Sequence, residues 1–174
     1  MGPRGALNCL MLTLRPAVHA DLPAILEIYN HAVVHTTASY DLEPVTLASR
    51  EAWFAHKQAG GWPVLVAVEG GKVTGWATYG PYREKAGYAR TVEHSVYVRD
   101  GHRGAGTGRR LMETLIAQAG ADGLHVMIGG VDADNAASIA FHERLGFERV
   151  AHLKQVGRKF DRWLDLVFLQ RLLD

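Results

Sequence analysis

Residues Thr91 to Arg110 read TVEHSVYVRDGHRGAGTGRR, and the order of local structure along this stretch decides the fold. Val92, Val96 and Val98 alternate with Thr91, Glu93, Ser95 and Tyr97. A period of two in β-branched and aromatic residues predicts a strand. A glycine-rich turn follows, Arg103-Gly104-Ala105-Gly106-Thr107-Gly108, and then Leu111, Met112, Leu115, Ile116 and Ala119 recur at helical spacing. The backbone N–H groups at the start of that helix have no internal partner, and the positive end of the helix dipole lies there too. Strand, glycine loop and helix in this order make an anion site. A Walker phosphate loop needs Lys-Ser or Lys-Thr after its last glycine, but Arg109-Arg110 stand there. The dinucleotide fingerprint GxGxxG needs a glycine at position 109 and fails for the same reason.

Working outward, the chain has 174 residues, 48% hydrophobic and 21% charged, with a formal net charge of +1. This is the composition of one globular domain with a sizeable core. No basic run or stripe points to nucleic acid, and no apolar run is long enough to span a membrane. The single cysteine, Cys9, excludes an intrachain disulfide framework and suits a reducing compartment. Leu7 to Leu14 is interrupted by Asn8 and Thr13 and passes into a strand, so it is read as no signal peptide. Residues 1–11 read as an N-terminal extension and 12–174 as the domain.

Within the domain a short strand at 12–15 comes first. Asp21 is the expected N-cap of a helix with Pro23 in its first turn, and Ile25, Ile28, Tyr29, Ala32 and Val33 form its apolar face. Thr46 caps a second helix, with Leu47, Trp53 and Phe54 expected to look inward. A hairpin follows, with strands at 63–68 and 73–79 joined through Gly70-Gly71. After the central strand, glycine loop and third helix, residues 124–131 read as a strand buried on both faces. Asp134 or Asn135 caps a fourth helix that stops at Gly146. Residues 147–155 and 163–169 are the last strands, with Trp163 packed in its strand. The order predicts an α/β (α+β) domain with a mixed central sheet flanked by helices.

The other informative segment is Asn135 to Phe147, NAASIAFHERLGF. Asn135, Ser138 and His142 recur at helical spacing and share a face. Singly, these residues are helix caps and a helix stop. Paired with the glycine loop one strand upstream, the segment resembles the GCN5-related N-acetyltransferases, over essentially residues 12–172. Thr91 to Val98, Arg83 in the loop before it, Leu124-His125-Val126 and the tail from Val156 through Lys159 and Trp163 to Asp165 resemble a narrower group, the phosphinothricin and methionine sulfoximine N-acetyltransferases. The resemblance implies a cytoplasmic, homodimeric enzyme. It would use acetyl-CoA and no metal to acetylate the α-amine of a small L-amino acid or analogue.

The resemblance also assigns residues. Backbone groups of Val96, Tyr97 and Val98 would meet the pantetheine arm, and the loop Arg103, Gly104, Ala105, Gly106, Thr107, Gly108 and Arg109 the pyrophosphate. Asn135 would contact the CoA arm, with Ser138 on the same helix face. Glu93, His94 and Ser95 would border the acceptor, and Arg83, whose planar fork suits a carboxylate, would hold the acceptor's carboxylate, with Glu84 and Lys85 in the same loop. Glu93 is the candidate base, since an unpaired carboxylate on a central strand is costly unless used. Its other reading is a structural partner of Arg90 or Arg83. His94 points to the face opposite Glu93. His142 stands where many members of the family carry a tyrosine that protonates the thiolate, so it is either the acid or a packing residue. Thr36, Thr37 and Tyr40 lie in a loop that could cover the acceptor, and Lys159 could line the pocket, as could Trp163 in place of packing in its strand. His31 and His35 have metal-like spacing but no third ligand in sight. Two rivals stay open: an acetyltransferase for polyamines, aminoglycosides or protein N-termini, and a non-catalytic acyl-CoA-binding module.

Overall fold

The computed structural model describes residues 11–173; Cys9 and all but the last residue of the expected N-terminal extension lie outside them. Seven strands form one sheet in the order β1-β2-β3-β4-β5-β7-β6. They are β1 Thr13–Pro16, β2 Val64–Glu69, β3 Lys72–Pro81, β4 Thr91–Val98, β5 Val126–Asp132, β6 Glu148–Lys159 and β7 Arg162–Leu172. Four helices flank them: α1 Leu22–His35, α2 Leu47–Ala59, α3 Thr107–Ala121 and α4 Ala136–Arg144. The element order is the one the periodicities predict, with short 3-10 turns added before α1 and before β4. The sheet is mixed: β4 and β5 run parallel, and the other neighbours are antiparallel.

Alternation along β3 and β4 divides the core between the two faces of the sheet. Ala77, Tyr79 and Val92 pack with Leu111, Met112 and Leu115 of α3. Trp76 packs on the other face with Ile25 and Ile28 of α1 and Phe54 of α2. Thr46 caps α2 by accepting from the Ser49 N–H at 3.1 Å. Asp21 sits at the N-cap of α1 without capping it. Its carboxylate instead accepts from the Arg15 guanidinium at 2.7 and 2.9 Å and from the Val18 N–H.

Three local expectations are corrected. Leu47 is 41% exposed, because Arg50, one turn on, takes the buried position on α2. Trp163 is 57% exposed; it stands on the outer β6–β7 hairpin, where Arg158 covers its ring at 4.9 Å. β5 is not buried on both faces: Met127, Gly129 and Val131 are buried but Gly130 is exposed. The reason is the geometry of the parallel pair. β4 and β5 pair only at Thr91–Val126, Val92–Met127 and Glu93–Ile128. Beyond Glu93 the strands part, and Gly130 faces the opening.

Candidate active site

The parting of β4 and β5 opens a cavity of about 310 Å³. β4 supplies Glu93, His94, Ser95, Val96 and Tyr97 to its wall, and α4 with its cap supplies Asn135, Ser138 and His142. Gly130 and Asp132 of β5, Leu166 and Phe168 of β7, and Thr37 to Tyr40 of the α1–α2 loop complete the lining. Because β4 has no β5 partner after Glu93, the strand edge at Ser95 to Val98 carries main-chain amides free to meet a ligand.

The α1–α2 loop is fastened over this cavity by long-range contacts. The Thr37 hydroxyl donates to the buried Asp132 carboxylate, and the Tyr40 hydroxyl donates to the Asp165 carbonyl at 3.2 Å. Lys159 is buried and donates to the Ser39 carbonyl at 2.8 Å, so it holds the loop from behind rather than lining the cavity. Tyr97 stacks on Trp76 with ring centroids 5.0 Å apart and donates to the Ala38 carbonyl.

Glu93 lies at the inner end of the cavity. Its surface faces the open space, yet the surrounding protein pushes its carboxyl above the usual range by desolvation. Among the described residues no cation stands within 4 Å of it, so neither Arg90 nor Arg83 is its partner. His94 projects to the opposite face, as alternation requires, and stacks on His142 with centroids 5.0 Å apart. The Nδ1–H of His142 donates to the Ser138 carbonyl at 2.7 Å, since a carbonyl can only accept. Its Nε2 then accepts from the Nε2–H of His94 at 3.1 Å. Burial lowers the His142 pKa, and burial with the neighbouring His142 lowers that of His94 to about 3. Both rings are neutral near pH 7, and His142 has no proton aimed at a leaving thiolate. Of its two readings, packing and positioning is the one these contacts favour. The Nδ1 of His94 is buried without a partner among the described residues.

The glycine loop stands apart from the cavity lining. Gly104 and Gly106 have φ of +82° and +83°, which a side chain would resist, and Gly106 begins α3 with no side-chain cap. The first α3 bond from Gly106 is made by the Arg110 N–H. The N–H groups of Thr107, Gly108 and Arg109 thus lie ahead of the ladder, where a phosphate would sit. The Thr107 side chain is buried, the Arg109 guanidinium pairs with Glu113 at 2.7 Å, and Arg103 and Ala105 are exposed. What Thr107 and Arg109 offer an anion is therefore backbone. Val98 packs against the α3 start and is not in the lining. Neither are Arg83, Glu84 and Lys85, which are exposed; the Arg83 guanidinium lies 5.1 Å from the Tyr82 ring.

Sequence reasoning missed Gly129, Gly130, Asp132, Leu166 and Phe168. Gly129 is the most constrained: a Cβ there would stand 2.5 Å from His94 Nε2 and 3.2 Å from His142 Nε2. The only available signal was the paired glycine in an otherwise apolar strand, a mark of close approach. The described residues contain no cluster of potential metal ligands.

The model of the acetyltransferase (GNAT) family matches residues 23–147. This chain belongs to that family. It is 53% identical over 163 residues to the L-methionine sulfoximine/L-methionine sulfone acetyltransferase of Pseudomonas aeruginosa, covering 93% of this chain and 95% of that protein. It is 38% identical to the phosphinothricin N-acetyltransferase of Streptomyces coelicolor, covering 92% of this chain and 95% of the other. An acetyltransferase structure from Salmonella typhimurium, with its cofactor acetyl-CoA, superposes with a TM-score of 0.90 at 50% identity over 94% of each chain. The GNAT fold, the mixed sheet and the N-acetyltransferase relationship read from Thr91 to Arg110 and Asn135 to Phe147 are thereby established.

Proposed function

We propose that this chain transfers acetyl from acetyl-CoA to the α-amine of a small L-amino acid or analogue of the methionine sulfoximine, methionine sulfone or phosphinothricin type. The observation that carries the proposal is Glu93, a carboxylate at the inner end of the β4–β5 opening that has no cation partner among the described residues and whose pKa burial raises. The relatives named above, which act on such amino acids, support the acceptor class.

Glu93 takes the proton from the acceptor ammonium, directly or through one water, so that a neutral amine attacks the thioester carbonyl. Free amides along Ser95 to Val98 hold the pantetheine arm and stabilise the oxyanion. The N–H groups opening α3 hold the pyrophosphate, and Asn135 meets the CoA arm. Transfer is direct and uses no metal: the amine nitrogen bonds to the thioester carbon, the resulting tetrahedral oxyanion collapses with loss of the carbon–sulfur bond, and the proton that the nitrogen gives up leaves with the CoA thiolate as the thiol. The protein works in the cytoplasm as a homodimer. Exposed Val156, Phe160 and Trp163 on the β6–β7 hairpin support an apolar pairing surface.

The test is release of CoA thiol from acetyl-CoA with methionine sulfoximine, methionine sulfone, phosphinothricin, ordinary L-amino acids, spermidine and an aminoglycoside. Turnover confined to the amino acids and their analogues is expected. Turnover only with the polycations would refute the acceptor class, and CoA binding without any turnover would favour a binding module.

A further inference from the structure

Gly130 breaks the pattern of its strand. It is the one exposed residue of β5, set between the buried Gly129 and Val131, although β5 has β4 on one side and β7 on the other. The register shows which surface it opens. Glu93 pairs with Ile128, Gly130 with Phe168 and Asp132 with Leu166. Paired residues project to one face, and residues two apart on a strand share it. Glu93, Gly130, Leu166 and Phe168 therefore stand on the same face of the sheet, and all four line the cavity. Gly130 alone among them has no side chain, so bare backbone lies exposed beside the base.

The distances show what suits the space over this backbone. A Cβ at 130 would stand 3.8 Å from Glu93 Oε1, 3.4 Å from Leu166 Cδ1 and 3.7 Å from Phe168 Cε1. The protein itself has room for a methyl there, and that room opens on the cavity. Its walls are one carboxylate oxygen and two apolar side chains. A carbon that carries an ammonium fits them: the nitrogen bonds the carboxylate, and the hydrocarbon lies against Leu166 and Phe168. A charge-assisted N–H···O bond of about 2.8 Å and an N–C bond of about 1.5 Å put that carbon about 3.6–4.3 Å from the oxygen. A side chain at 130 would stand in the same range. The side chain and an acceptor bound to Glu93 would compete for one space.

We infer that Gly130 admits the acceptor to its base: the missing side chain leaves the space over which the amine-bearing carbon lies when its nitrogen meets Glu93. The inference rests on the acceptor class and the base proposed above. An alanine methyl would raise this surface by one carbon–carbon bond, about 1.5 Å, and a misplacement of about 1 Å can cost about a hundredfold in rate. The experiment measures kcat, KM, acetyl-CoA Kd and urea stability for wild type, Gly130→Ala and Gly130→Ser, with methionine sulfone and every other amino acid that wild type acetylates. Both variants should lower kcat/KM for methionine sulfone at least about tenfold, while acetyl-CoA Kd stays within about twofold of wild type and Gly130→Ala keeps wild-type stability. The fall should be equal for long and short acceptor side chains, because all share the amine-bearing carbon. It should also persist at alkaline pH, where Glu93 is ionised in every variant. Gly130→Ala or Gly130→Ser with kcat/KM within about twofold of wild type overturns the inference. So does a loss that grows with acceptor length, one that alkaline pH restores, or one matched by a loss of acetyl-CoA affinity. Wild type that binds acetyl-CoA but acetylates no amino acid overturns the acceptor class itself, and the inference with it.

Discussion

Gly129→Ala should destabilise the protein far more than Gly130→Ala, one residue along the same strand. The alanine Cβ at 129 would lie 2.5 Å from His94 Nε2 and 3.3 Å from its Cδ2. Ordinary contact needs about 3.5 Å, so the ring must retreat by about 1 Å. It has little room to do so, being stacked on His142 and edge-on to Phe147 with centroids 5.6 Å apart. Retreat also breaks the 3.1 Å bond between the two rings and leaves the Nε2–H of His94 buried without an acceptor. Overpacking costs about 1–3 kcal/mol, and a newly unsatisfied buried group costs about 1–3 kcal/mol. Partial relaxation sets the expected loss at about 2–4 kcal/mol, or a fall in Tm of about 5–15 °C for a chain of this size. At 130 the new Cβ meets Leu166 at 3.4 Å, Phe168 at 3.7 Å and Glu93 at 3.8 Å, all ordinary contacts. Alanine there also restricts the unfolded chain, so stability should hold or rise by up to about 1 kcal/mol. Urea denaturation followed by tryptophan fluorescence measures both. Gly129→Ala within about 1 kcal/mol of wild type, or less destabilising than Gly130→Ala, would refute the packing argument.

Glu93→Gln should keep acetyl-CoA binding while turnover falls at least about tenfold, and unchanged turnover would remove Glu93 as the base. In the wild type the acid limb of kcat/KM should lie above the ordinary glutamate pKa of about 4.3, because burial raises Glu93 and activity is lost as pH falls through that raised value. His94 has the opposite linkage. It is held neutral down to about pH 3, whereas the unfolded chain protonates it at about pH 6.5. Above that pH it costs nothing. As pH falls from there toward 3 it removes up to about 1.4 kcal/mol of stability per pH unit, and His94→Gln should flatten this part of a stability–pH curve. Asn135→Ala should cost about 1 kcal/mol of stability through the lost cap on the Ser138 N–H. Asn135→Asp keeps the cap, so a rise in acetyl-CoA KM shared by both variants would report a CoA contact rather than helix stability.

What the sequence determined by itself was local. The two-residue period of β4 separated Glu93 from His94, and the 3.6-residue period of α4 gathered Asn135, Ser138 and His142 on the face that lines the cavity. Gly104 and Gly106 marked the turn before α3 because only a residue without a Cβ accepts their φ readily. These features depend on neighbours a few residues apart, and periodicity carries that information. The tertiary structure decided the rest. β4 and β5 part after Glu93, and Thr37, 95 residues from Asp132, fastens the loop over the opening. Ser39 meets Lys159 across 120 residues. The tautomers of the two histidines follow from one carbonyl on α4 and one ring contact between α4 and β4. The Lys57 ammonium of α2 reaches the Tyr79 carbonyl of β3 at 3.0 Å only because of how α2 lies across the sheet. Such contacts are set by the packing of whole elements, and no spacing along the chain encodes which residues they bring together.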